Sequence, residues 1–210
     1  MKIKSTLLAL AAFSAFGVVS SQGATLAAYT FPATNSLTAT TVANDLTVSN
    51  FTVSAGTIST NQTAGTDFPN EPFVQGNAGW TSTTQAAAKN FFFTITANPG
   101  FTFSLENITF NGLASSAGPS AIGLAVGTTN ITSVNAGSGA LVAFNSPITG
   151  QTGLTTATIR IQGWDNGSRT TSGGGDFRID DLVVSGTVVP EPSTALLGSL
   201  GALALLRRRR

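Results

Sequence analysis

Along residues 25–188 apolar side chains recur at every second position, the spacing that puts them on one face of a strand. In Phe91-Phe92-Phe93-Thr94-Ile95-Thr96-Ala97 the residues Phe91, Phe93, Ile95 and Ala97 share a phase. Asn98-Pro99-Gly100 then predicts a turn, with Phe101, Phe103 and Leu105 opening the return strand of a hairpin at the centre of the core. Thr155 to Trp164 alternates again, with Ala157, Ile159 and Ile161 inward and Thr158, Arg160, Gln162 and Trp164 outward. Shorter groups follow the same rule: Leu46 with Val48, Phe51 with Val53, Ile108 with Phe110, Ile122 with Leu124 and Val126, Ile131 to Val134, Leu141 to Phe144, and Phe177 to Val188. The phase slips at Asn50, which either a β-bulge or two short strands explains. No stretch of the domain holds a helical period, so the expectation is an all-β fold, a β-sandwich or jelly roll of about eight to eleven short strands.

Ala55 to Thr84 lacks periodicity and contains Gly65, Pro69, Pro72, Gly76 and Gly79, which predicts a long loop carrying Phe68, Phe73 and Trp80. Three aromatics argue for order. They fit a satellite core under the loop better than a platform for stacking a sugar ring, the other role open to Trp80.

Both ends of the chain depart from this pattern. Met1-Lys2-Ile3-Lys4 supplies positive charge, Leu7 to Val19 an apolar run, and Ser20, Ser21, Gly23 and Ala24 small or polar residues, the layout of a secretory signal helix. Cleavage is expected between Ser21 and Ala28, preferably at Ala24, which divides the chain into a signal peptide at 1–24, a β-sandwich at 25–188 and a tail at 189–210. In the tail, Pro190-Glu191-Pro192 cannot continue a helix or central strand, so folded structure should stop near Val188. Ala195 to Leu206 reads as a short apolar helix roughly 20 Å long, against about 30 Å for a bilayer core. Arg207, Arg208, Arg209 and Arg210 bias its end toward the cytoplasm. Either an uncleaved anchor or a sorting signal that is later removed fits this layout.

The Pro190-Glu191-Pro192 triplet, the apolar segment and the arginine cluster together resemble the bacterial PEP-CTERM sorting domain. The resemblance implies export through the Sec machinery and transient contact of the tail with the inner membrane. It further implies processing by the protease exosortase, in a bacterium that makes exopolysaccharide, with delivery to the cell surface or beyond. Pro190, Glu191 and Pro192 would be the recognition element.

Charge and chemistry narrow the rest. Within 25–188 the cations are Lys89, Arg160, Arg169 and Arg178 and the anions Asp45, Asp67, Glu71, Glu106, Asp165, Asp176, Asp180 and Asp181, a net charge of −4. Scattered cations on an acidic domain exclude a nucleic-acid partner. The chain has no cysteine and no histidine, which removes disulfides, thiol chemistry and the usual general base. The carboxylates fall in no recognisable catalytic motif, so the expectation is a non-catalytic protein.

The closing segment Phe177-Arg178-Ile179-Asp180-Asp181-Leu182-Val183-Val184 resembles the last strand of carbohydrate-binding-module-like jelly rolls. That resemblance implies a structural calcium at Asp180, with no other cofactor. Read from alternation alone, Asp180 instead pairs with Arg178 or caps a bulge on the solvent face. Asp181 would point inward at a phase slip and need a partner. Two functions remain: surface display after sorting, or binding of an extracellular polysaccharide through Trp80 and Trp164.

Overall fold

The computed structural model describes residues 23–31, 36–60, 74–77, 80–136, 139, 141–167, 175–191 and 207. The expected signal helix, the apolar C-terminal helix, Phe68, Phe73, Pro192 and Arg208 to Arg210 lie outside the described residues. Among those residues the alternation yields thirteen strands and a single 3-10 turn, Gln85–Ala87. They are β1 (Ala24–Tyr29), β2 (Thr41–Val42), β3 (Leu46–Val48), β4 (Thr52–Val53), β5 (Ile58–Thr60), β6 (Val74–Asn77) and β7 (Lys89–Ala97), followed by β8 (Phe101–Ala114), β9 (Ala121–Val126), β10 (Thr129–Asn135), β11 (Leu141–Pro147), β12 (Thr156–Trp164) and β13 (Asp176–Pro190).

Two antiparallel sheets face each other. One runs β11-β8-β13-β1-β2, with β6 also on β13 and β5 on β6; the other runs β10-β9-β12-β7-β3, with β4 also on β7. Their inward residues form one core in which Phe91, Phe93, Ile95, Ile159 and Ile161 from the second sheet meet Phe103, Ile108, Leu182, Val184 and Leu26 from the first. Aromatic rings bridge the layers: Tyr29 lies 4.9 Å from Phe93, and Phe91 lies 5.5 Å from Phe177. Each such side chain, fully buried, contributes about 1.5–3 kcal/mol by leaving water.

Three expectations change, and one open alternative is decided. Asn98-Pro99-Gly100 makes no hairpin, because β7 and β8 belong to opposite sheets and the turn is a corner between them. Both strands bury an apolar face, and two such faces satisfy each other across the sandwich rather than side by side. The slip at Asn50 resolves as two short strands, β3 and β4, laid on opposite ends of β7. Within the expected loop Ala55 to Thr84, β5 and β6 pair with each other and β6 extends the first sheet along β13.

The third change is at the end of the domain. β13 continues past Val188, with Val189 opposite Thr102 and Pro190 opposite Phe101. A proline can close a strand, since only its N–H is lost and its carbonyl still accepts. The next residue completes the run, as the Glu191 N–H donates to the Gly100 carbonyl at 2.8 Å.

Candidate functional site

Outward residues of the second sheet form a groove with a volume of about 480 Å³, within the range of ligand-binding clefts. Its floor follows from strand register. On β7 and β12 the facing pairs are Thr94 with Thr158, Phe92 with Arg160, and Asn90 with Gln162. Arg160 is flanked on its other side by Ala125 of β9, and the turn between β9 and β10 supplies Gly127 and Thr128. Ser54 and Ala86 close the rim.

Hydrogen bonds fix these side chains before any ligand arrives. The Thr94 and Thr158 hydroxyls lie 3.0 Å apart, and an Arg160 Nη1–H donates to the Gly127 carbonyl. Gln85 Nε2 donates to Gln162 Oε1 at 2.9 Å, and Gln162 Nε2 donates to the Gln85 carbonyl at 3.0 Å. This reciprocal pair ties the 3-10 turn to the sheet as one wall of the groove. It requires glycine at 123, where a Cβ would stand 2.5 Å from Gln85 Nε2 and 2.9 Å from Trp164 Cζ3.

The groove offers hydroxyls, amides, one guanidinium and one half-buried aromatic ring, Phe92, and its lining contains no carboxylate. Such a surface suits a polyhydroxylated ligand held by many weak directional contacts and a stacked ring. Glycoside hydrolysis would need two suitably spaced carboxyl groups, which this lining does not provide.

The residues singled out from sequence lie elsewhere. Trp80 is fully buried, its indole N–H donating to the Gly76 carbonyl at 3.2 Å and its face covered by Lys89 Nζ at 4.6 Å. It therefore belongs to the core and presents no platform to a sugar. Trp164 does point outward, as its phase requires, but is only 8% exposed and packs with Ala88 and Ala121. The aromatic in the groove lining is Phe92, opposite Arg160 and four residues along β12 from Trp164. Its signal in the sequence was its place on β7 in the phase opposite to Phe91 and Phe93.

Asp180 is buried, at 1% exposure, and its Oδ1 accepts the Asp181 N–H at 2.8 Å. Asp181 is the exposed member of the pair and has φ +50°. The expected orientations are thus exchanged, because one extra residue in β13 between Asp180 and Val183 forms a bulge opposite Phe110. Arg178 pairs with Asp176 at 3.7 Å. Asp181 accepts from Asn111 Nδ2 at 3.3 Å. Among the described residues no group of three or more acidic, histidine or cysteine side chains comes together. The buried Asp180 carboxylate caps the bulge through its bond to the Asp181 N–H.

Lys89 is buried on the inward phase of β7, and its pKa falls below the ordinary 10.5 because burial disfavours the charged form. Tyr29 is pushed above 10.0 by the same cause, and its hydroxyl donates to the Ser49 carbonyl at 2.6 Å. Both brace the core beneath the sheets.

Comparison with curated protein sequences finds no match. Among solved structures, the chain is similar to a CBM36 carbohydrate-binding module in complex with calcium and xylotriose, at TM-score 0.41 and 18% identity, covering 66% of this chain and 99% of that one. It is also similar to the CBM22-1–GH10 modules of a Clostridium thermocellum xylanase, complexed with xylohexaose (TM-score 0.45, 10% identity, 77% of this chain and 28% of that one). A third is a family 29 carbohydrate-binding module (TM-score 0.40, 10% identity, 78% and 93%). At these values the likeness assigns no ligand and no residue. Among the described residues no helix is long and apolar enough to cross a membrane. The tail carries the firm assignment: residues 188–210 are a PEP-CTERM protein-sorting motif, the mark of an exported protein handled by exosortase.

Proposed function

We propose that this chain is a non-catalytic surface or extracellular-matrix protein of an exopolysaccharide-producing bacterium. Sec exports it with loss of residues 1–24, the tail holds it briefly at the inner membrane, and exosortase then releases the sandwich to its destination. The observation that carries this reading is the sorting motif at 188–210, joined directly to a folded all-β domain. Removing residues 192–210 should leave the sandwich folded but misdirect it, and cell fractionation reads the difference. Unchanged distribution and unchanged mass of the surface form would defeat the reading.

A second reading, favoured by the groove, is that the displayed domain binds an extracellular polysaccharide. Phe92 would stack on a sugar ring while Arg160, Asn90, Gln162 and the two threonines engage its hydroxyls. Affinity electrophoresis through gels containing the host's own polysaccharide tests it: retardation supports binding, and free migration through every such gel rules it out.

A further inference from the structure

The sorting motif begins inside the fold. Val189 and Pro190 occupy the last two rungs of β13 against Thr102 and Phe101, and the Glu191 N–H is held by the Gly100 carbonyl. The strand they rest on is firmly placed. Phe103 exchanges two hydrogen bonds with Leu154, each 2.9 Å, the Leu105 N–H donates to Gln151, and the Asn98 N–H donates to Asp45. On the other side of β13, pairing with β1 ends at Gly186, so among the described residues β8 alone holds the segment beyond. Thr187 marks the inner limit of this half-free segment, its hydroxyl donating to Glu106 Oε1 at 2.6 Å.

A protease takes its substrate as an extended chain whose backbone groups pair with the enzyme. Here the backbone at the start of the recognition triplet is already paired with β8. The geometry points to a sorting signal that is latched: the run Val189 to Glu191 must peel from β8, pivoting near Thr187, before exosortase can seat Pro190-Glu191-Pro192. Strand ends open locally at a small fraction of the cost of global unfolding, so the latch slows processing without forbidding it. Because these rungs exist only once β8 and β13 have paired, the latch acts on the folded sandwich, at its Asn98 to Gly100 corner. The inference rests on the exosortase reading above and adds the step that limits it.

The chain's lack of cysteine permits a direct test. Thr102 and Val189 are directly opposed on antiparallel strands, at a separation a disulfide can span. In the full-length chain carrying Thr102→Cys and Val189→Cys, expressed in the exosortase-bearing host, the oxidised form should be processed about tenfold or more slowly than the wild type, because the rungs can no longer open. Reductant should restore the rate, and each single substitution should process normally. Processing of the oxidised form at the wild-type rate overturns the latch while leaving the sorting reading intact. A wild-type chain that is never processed overturns both. Amide exchange on the purified precursor supplies the second measurement: the Glu191 amide should exchange at least tenfold more slowly than in a free peptide of residues 188–210. Equal exchange rates overturn the latch even if the disulfide fails to form.

Discussion

Phe92 and Arg160 stand directly opposite each other on β7 and β12, on the outer face of the sheet. This places an aromatic ring beside a guanidinium at the centre of the groove floor. Replacing Phe92 with Ala should weaken binding of the host polysaccharide about tenfold, the scale of one lost stacking contact. The thermal midpoint should move by no more than about 2 °C, since a half-exposed surface position carries little stability. Isothermal titration and thermal unfolding on the same samples separate the two effects.

Trp80 gives the opposite signature. Fully buried against Phe91 and Phe177, it should cost about 3–5 kcal/mol when replaced by Ala, through lost burial and the cavity left behind. Urea unfolding monitored by far-ultraviolet dichroism measures this. A loss below about 1 kcal/mol would contradict its place in the core.

Stability should respond to alkaline pH in two opposed ways. Folded Lys89 releases its proton at lower pH than unfolded Lys89 does, so the unfolded chain binds more protons as pH rises toward 10.5, and the domain gains stability in that window. Folded Tyr29 keeps its proton beyond 10.0, where the unfolded phenol ionises, so that contribution is full below pH 10 and lost above it. Denaturant midpoints measured from pH 8 to pH 11 should lose the rising limb in Lys89→Met and the falling one in Tyr29→Phe.

The amino terminus of the exported form is constrained by β1. Leu26 and Tyr29 are fully buried, and Ala24 is paired with Gly186. Cleavage at or before Ala24 keeps the core whole, whereas a cut near Ala28 would strip Leu26 from it. A variant beginning at Tyr29 should fail to accumulate as folded protein, which limited proteolysis detects.

How much of this was legible beforehand depended on whether the deciding interaction was local. Alternation placed Ala157, Ile159 and Ile161 inside and Arg160 and Gln162 outside correctly, because one buried face forces that phase. It could not reveal that β7 and β8 belong to different sheets, since a tight turn serves a corner as well as a hairpin. Trp164 had the outward phase but not the openness, because Ala88 and Ala121, distant in sequence, cover it. The exchange of Asp180 and Asp181 depended on where one extra residue was absorbed, which only the register against Asn111 and Thr109 fixes. The proline triplet marked the end of the fold to within two residues, and those two are the ones that latch the signal.

The central claim is that the sorting motif at 188–210 directs processing of an exported sandwich. Intact-mass analysis of the protein recovered from its native envelope and medium, with and without exosortase, tests it most directly. The account predicts a species beginning near Thr25 and ending between Val189 and Ser193, present only when the protease is present. A species that retains Leu206 and the four arginines in both strains would contradict it.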